Sequence, residues 1–179
     1  MYCGHLYDYK GIGLILDLAQ KMSDALFVLV GGSPADRSRW ENASLGRNLK
    51  NIVFTGFVAQ QMIPQYLSAA DALILPSVGN DGESEYTSPL KLFDYMAARR
   101  PIVASKLKNI ENVLVHNESG LLAEPDSSEA FHVNLKSLFV NDEYAEKLAF
   151  NAHNCVQELS WNKRAEQILN FLKQQADGS

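Results

Sequence analysis

The run Ser88-Pro89-Leu90-Lys91 concentrates more chemistry in four residues than any other part of this chain. Serine is a favoured helix N-cap and proline a favoured first helical residue, so the run predicts a helix start. The free amides of Leu90 and Lys91 then face outward with the positive end of the helix dipole, and the Lys91 ammonium adds a full charge from the same turn. That combination seats an anion. It reads equally as a plain cap whose lysine is solvated or paired with Asp94 three residues on. Asp94 follows about one turn in, in a largely apolar stretch, and its carboxylate can accept two hydroxyl hydrogen bonds, as a ribose diol would offer. Lys10, just before Gly11 at the mouth of the first predicted helix, can reach a phosphate or stand as an ordinary exposed lysine. His5 differs from the other histidines because it follows Gly4 at a strand end.

Other chemistries lack their residues. Gly11-Ile12-Gly13 hints at a dinucleotide fingerprint, but the third glycine falls on Leu16, and no Gly-Lys-Ser/Thr phosphate loop occurs. The acidic stretch Asp81-Gly82-Glu83-Ser84-Glu85 has its glycine misplaced for a calcium loop and no terminal glutamate at the required distance. His5, His116, His132 and His153 show no metal-ligand spacing, and the loops assemble no Ser/His/Asp nucleophile.

The elements that must position these residues alternate along the chain. Short apolar runs read as strands at Met1–Cys3, Ala25–Val30, Asn51–Thr55, Ala72–Leu75, Pro101–Ala104 and Gly120–Leu122. Helical patterns fill Gly11–Met22, Ala35–Leu45, Gln61–Ala69 and Ser88–Arg99. From Ser127 to Leu172 the pattern is helical, broken near Asn141 and near Ser160. Val78–Thr87 has no periodicity and reads as a loop. This order predicts one α/β domain over residues 1–173, a doubly wound, Rossmann-like parallel sheet, with 174–179 as a frayed tail. In such a sheet, ligands bind at the carboxyl ends of the strands. That rule selects Gly4–Lys10, Gly31–Pro34, Gly56–Val58, Pro76–Ser88 and Ser105–Asn109.

Composition narrows the partners. The 179 residues are 46% hydrophobic, which is ordinary for a single globular domain. With 16 basic and 21 acidic side chains the net charge is −5, so nucleic acid is not an expected partner. No apolar run approaches the roughly 18 residues that span a bilayer, and the two distant cysteines, Cys3 and Cys155, read as reduced thiols of a cytoplasmic protein. The first strand begins at residue 1, as in a chain cut from something longer.

Taken in order, these residues resemble the donor-binding, C-terminal domain of a two-domain glycosyltransferase of family 4, the glycosyl transferases group 1 type. The resemblance runs from Tyr2 to Leu172. It rests on Tyr2-Cys3-Gly4-His5-Leu6 with Lys10-Gly11, on Val28-Leu29-Val30-Gly31-Gly32, and on Asn51 through Val58. Ala70 through Ser77, Ser88 through Ala97, Pro101 through Ser105, Gly120-Leu121-Leu122 and Ser160-Trp161 complete the set.

The resemblance implies the C-terminal half of a GT-B fold and retaining transfer from a nucleotide-diphosphate sugar without a bound metal. Lys10, Lys91 and the Leu90 and Lys91 amides would do the work of a divalent ion on the departing diphosphate, with Pro76 and Ser88 framing that loop. Asp94 would hold the ribose, Gly31 and Gly32 would let backbone approach the nucleotide, and Phe57 and Val58 would line the base pocket. The family motif pairs two glutamates separated by seven residues. Here the second is Asp94, the first falls on Tyr86, and Glu85 beside it serves where the loop bulges. His5 stands where many relatives carry arginine, losing a permanent charge. The acceptor belongs to an N-terminal domain of the same enzyme, and any peripheral membrane association would come through that half. The expectation is a chain that binds donor but does not transfer sugar alone; the alternative is a non-catalytic nucleotide-sugar-binding or partner-binding module.

Overall fold

The computed structural model describes residues 1–77 and 90–177. The loop expected at Val78–Thr87, including Glu85 and Tyr86, and the expected cap Ser88 lie outside the described residues. Among the described residues, six parallel strands form two ladders. β1 (Tyr2–Cys3), β2 (Phe27–Val30) and β3 (Ile52–Gly56) pair in that order, as do β4 (Leu73–Leu75), β5 (Ile102–Ser105) and β6 (Leu121–Ala123). The ladders meet edge to edge, where the Ile74 N–H donates to the Met1 carbonyl at 2.9 Å. The strand order is therefore 3-2-1-4-5-6, with the direction of winding reversing between β1 and β4.

That seam carries a substitution of its own. A parallel ladder would next have the Cys3 N–H donate to the Ile74 carbonyl. It donates instead to the Tyr95 hydroxyl at 2.7 Å, so a phenol stands where the next inter-strand bond after Met1–Ala72 and Ile74–Met1 would be.

Both faces of the sheet are covered, as strands buried on both sides require. Alternation along β4 and β5 sends Ile74 and Val103 to a core with α1 (Ile12–Lys21) and α6 (Ser128–Phe139). It sends Leu73, Leu75, Ile102 and Ala104 to a core with α3 (Ile63–Ser68) and α4 (Leu90–Ala97). α2 (Pro34–Gly46) begins with a capping box in which Ser33 and Asp36 exchange hydrogen bonds, with Pro34 in the first turn. α7 (Asp142–Gln157) contributes Leu148 to one core and Ala152 to the other.

The expected helix over Gln61–Ala69 divides into a 3-10 turn, Gln60–Met62, and α3, because Pro64 suits only a first helical turn. A single turn, α5 (Lys108–Glu111), begins inside the expected loop Ser105–Asn109 and takes its last two residues; four residues are too few to show a period. α8 (Trp161–Asp177) continues past the expected limit at Leu172, through the good helix formers Lys173, Gln174, Gln175 and Ala176. Among the described residues, no helix is long and apolar enough to cross a membrane.

At the carboxyl ends of β1 and β2 the backbones touch. Gly31 has φ of 111°, and a Cβ there would stand 2.5 Å from the Gly4 carbonyl oxygen. Both the torsion and the contact demand glycine. Gly31→Ala is expected to cost about 1–3 kcal/mol. Thermal denaturation should show this as a fall of roughly 2–4 °C per kcal/mol.

Candidate functional site

Two cavities open at the carboxyl edge of the sheet, one on each side of the β1–β4 seam. The larger, about 660 Å³, is lined by Gly4, His5, Gly31, Gly32, Phe57, Val58, Lys91 and Asp94, with Cys3, Gln60 and Ile63 among the rest. The smaller, about 370 Å³, is lined by His5, Lys10, Pro76, Leu90 and Lys91 together with Tyr2, Tyr7 and Tyr9. Every described residue singled out from the sequence thus falls on one cavity or the other. His5 and Lys91 line both. The structure does not gather them into one pocket: Lys10, Pro76 and Leu90 face the smaller cavity, while Asp94 and the Gly31-Gly32 turn face the larger. Sizes of this order suit a small organic ligand.

Lys91 is the centre of the arrangement. It leaves the first turn of α4 and crosses β1 at Gly4, where a Cβ would lie 1.9 Å from its Nζ. Its ammonium donates to the Tyr2 hydroxyl at 2.9 Å and lies 4.8 Å from the Tyr2 ring centroid. The Tyr2 hydroxyl in turn donates to the His5 carbonyl at 2.6 Å, which fixes the loop after β1. The same loop is anchored on its other side, where the Trp40 indole donates to the Leu6 carbonyl at 2.7 Å. The alternative pairing of Lys91 with Asp94 is not formed. Asp94 stands exposed on the cavity wall, with no hydrogen bond or ion pair to a described residue, and Phe57 projects into solvent at 85% exposure.

A family model described as glycosyl transferases group 1 matches residues 1–141. The chain belongs to this family. It is 24% identical over 157 residues to alpha-D-kanosaminyltransferase of Streptomyces kanamyceticus, covering 85% of this chain and 39% of the relative. Sucrose-phosphate synthase from Thermosynechococcus elongatus superposes with a TM-score of 0.82 at 26% identity, over 99% of this chain and 45% of that one. Anabaena HepE, solved in complex with UDP, superposes at 0.83 with 22% identity, over 97% of this chain and 48% of that one. The chain therefore spans about two-fifths to half the length of these relatives, and its fold is that of the C-terminal half of a GT-B glycosyltransferase.

Within this group 1 domain the charge balance at the seam is set by burial. Desolvation, followed by the nearby charge of Lys10, lowers the Lys91 ammonium to about 8. Partial desolvation against the cavity wall raises the Asp94 carboxyl above its ordinary value, and full burial pushes the Tyr95 phenol well above its own. Tyr95 therefore remains protonated and keeps its place at the seam. The residues missed from the sequence are the tyrosines: Tyr2, Tyr7, Tyr9 and Tyr95 all border the cavities. Strand position offered a signal for Tyr2, since it lies two residues before Gly4, but its partner Lys91 is 89 residues away.

The lowered Lys91 value has a consequence for stability. Below pH 8 both folded and unfolded chains carry the proton, and the folded state bears the full cost of a desolvated ammonium. Between about 8 and 10.5 the folded chain loses the proton first, so stability rises with pH. Denaturant titrations should therefore find Lys91→Met more stable than the native chain at pH 7. That advantage should shrink steadily from pH 8 to 10.5.

Proposed function

We propose that this domain binds the nucleotide-diphosphate-sugar donor of a retaining glycosyltransferase, and that the acceptor, a glycan, lipid or polysaccharide precursor, is held by an N-terminal domain of the same enzyme. The observation that carries this reading is the pair of cavities joined by His5 and Lys91 at the point where the strand order reverses. A nucleoside fits the larger cavity. Gly31 and Gly32 present backbone there with no side chain in the way, Phe57 and Val58 offer apolar surface to a base, and Asp94 has a carboxylate free of described partners for the ribose hydroxyls. The diphosphate then lies over Lys91 toward Lys10, and the sugar extends into the smaller cavity. The complex of HepE with UDP supports this reading by similarity of fold.

In this arrangement Lys10 and Lys91 stabilise the charge that grows on the diphosphate as the sugar–oxygen bond breaks. The first amides of α4 add their dipoles to the same region. Two lysines at this position carry out the neutralisation that a divalent ion performs elsewhere, so transfer is metal-independent in this proposal. Transfer also needs an acceptor held in line, and that orientation is worth about 7–11 kcal/mol. The domain by itself therefore binds donor without useful turnover. Its two thiols are free, which suits the reducing cytoplasm.

A thermal-shift panel with UDP, GDP, ADP and CMP tests the reading. One nucleoside diphosphate at a hundred times its dissociation constant should stabilise the fold by about 2.7 kcal/mol. Asp94→Ala and Lys91→Ala should each abolish the shift, and EDTA should leave it unchanged. No response to any of the four at millimolar concentration would count against a donor site in this domain. Robust sugar transfer by the isolated chain would overturn the requirement for a second domain.

A further inference from the structure

Three nitrogen-bearing side chains face the proposed diphosphate position, and each rests on a tyrosine from the first nine residues. The Lys91 ammonium lies 4.8 Å from the Tyr2 ring centroid. The His5 imidazole is stacked on Tyr7, with centroids 5.0 Å apart and planes 4° from parallel. The Lys10 ammonium lies 4.6 Å from the Tyr9 centroid, and Tyr9 in turn stacks on Tyr7 at 5.5 Å. Among the described residues, neither lysine makes an ion pair. The one acid on this loop, Asp8, is engaged by Arg39 of α2 at 2.6 Å.

We propose that Tyr2, Tyr7 and Tyr9 are positioning residues that hold Lys91, His5 and Lys10 for a nucleoside diphosphate while leaving the charge of the two lysines uncompensated. This inference rests on the donor-binding reading above. The physical argument concerns what a cation can be held by. A carboxylate fixes a lysine but cancels its charge, and an incoming diphosphate must then displace the carboxylate or bind beside an anion. An aromatic face attracts the cation through its quadrupole and carries no net charge, so the field of the ammonium remains for the ligand. Of the acids near enough in sequence to spoil this, Asp8 is diverted to Arg39 and Asp94 makes no ion pair with Lys91. Tyr2 adds a second restraint through its hydroxyl, which accepts from Lys91 and is itself oriented by the His5 carbonyl.

The test is made at Tyr9, which is 46% exposed and can be replaced without opening the core. UDP, GDP and ADP are titrated against the native chain by calorimetry, and the nucleoside of whichever binds serves as a phosphate-free control, read by ligand-observed NMR. Tyr9→Phe keeps the ring face and should bind the diphosphate as the native chain does. Tyr9→Leu removes the face and should weaken it about two- to fivefold, with nucleoside binding unchanged. Tyr9→Glu supplies a compensating carboxylate to Lys10 and should weaken it further than leucine does. Melting curves establish that each variant is folded, and Tyr7→Leu, expected to weaken diphosphate binding through His5, replaces Tyr9→Leu should that variant not fold. A native chain that binds none of the diphosphates overturns the donor-site reading itself. Native binding with an unaffected leucine variant, or equal losses in the phenylalanine and leucine variants, overturns the tyrosine inference alone.

Discussion

The site depends on a missing side chain at Gly4. Three things converge there: the end of β1, the backbone of β2 at Gly31, and the ammonium of Lys91 arriving from α4. A Cβ on Gly4 would occupy the position of the Lys91 Nζ, and one on Gly31 would meet the Gly4 carbonyl. Any side chain at either position would push the lysine off the seam or separate β1 from β2. The two cavities would then no longer share a cationic wall. The glycine pair is thus a packing requirement first, and the exposure of backbone to a ligand follows from it.

Burial and charge oppose each other at the same point. Lys91 is drawn over β1 by the Tyr2 ring and hydroxyl, and the desolvation that results lowers its affinity for a proton. An anion in either cavity would reverse that effect by supplying a charged partner. Asp94 shows the same opposition with the other sign, since partial desolvation raises its carboxyl and hydroxyl donors would lower it again.

Much of this was legible in the residues because the fold is built from short periodic units. Short apolar runs such as Val28–Val30 and Leu73–Leu75, closed by glycine or proline, read as buried strands, whereas the helix expected from Ala35 starts one residue earlier, at Pro34, behind the Ser33–Asp36 capping box. Lys10 and Lys91 could be singled out because each sits at a helix entrance on the ligand edge, and Asp94 because it is a carboxylate one turn further on in a largely apolar stretch. The contacts that arrange them could not be. Lys91 on Tyr2 and the Tyr95 hydroxyl on the Cys3 amide join residues about ninety positions apart, and nothing in spacing or propensity records which helix lands on which strand. The division into two cavities has the same origin, because it is made by side chains that meet only after the sheet has closed. α5 escaped for the opposite reason: it is too local to leave a pattern.

The Tyr95 hydroxyl at the seam bears on how open the domain is before anything binds. Two backbone bonds join the strands, from the Met1 amine to the Ala72 carbonyl and from the Ile74 N–H to the Met1 carbonyl, and a fully buried phenol takes the next position, where it satisfies the Cys3 amide in place of a carbonyl on β4. A ligand filling the cavity beside it has no ladder bond to break there, because the Cys3 amide is already held by a side chain. Recognition at such a crevice is closer to filling a preformed mould than to prising one open.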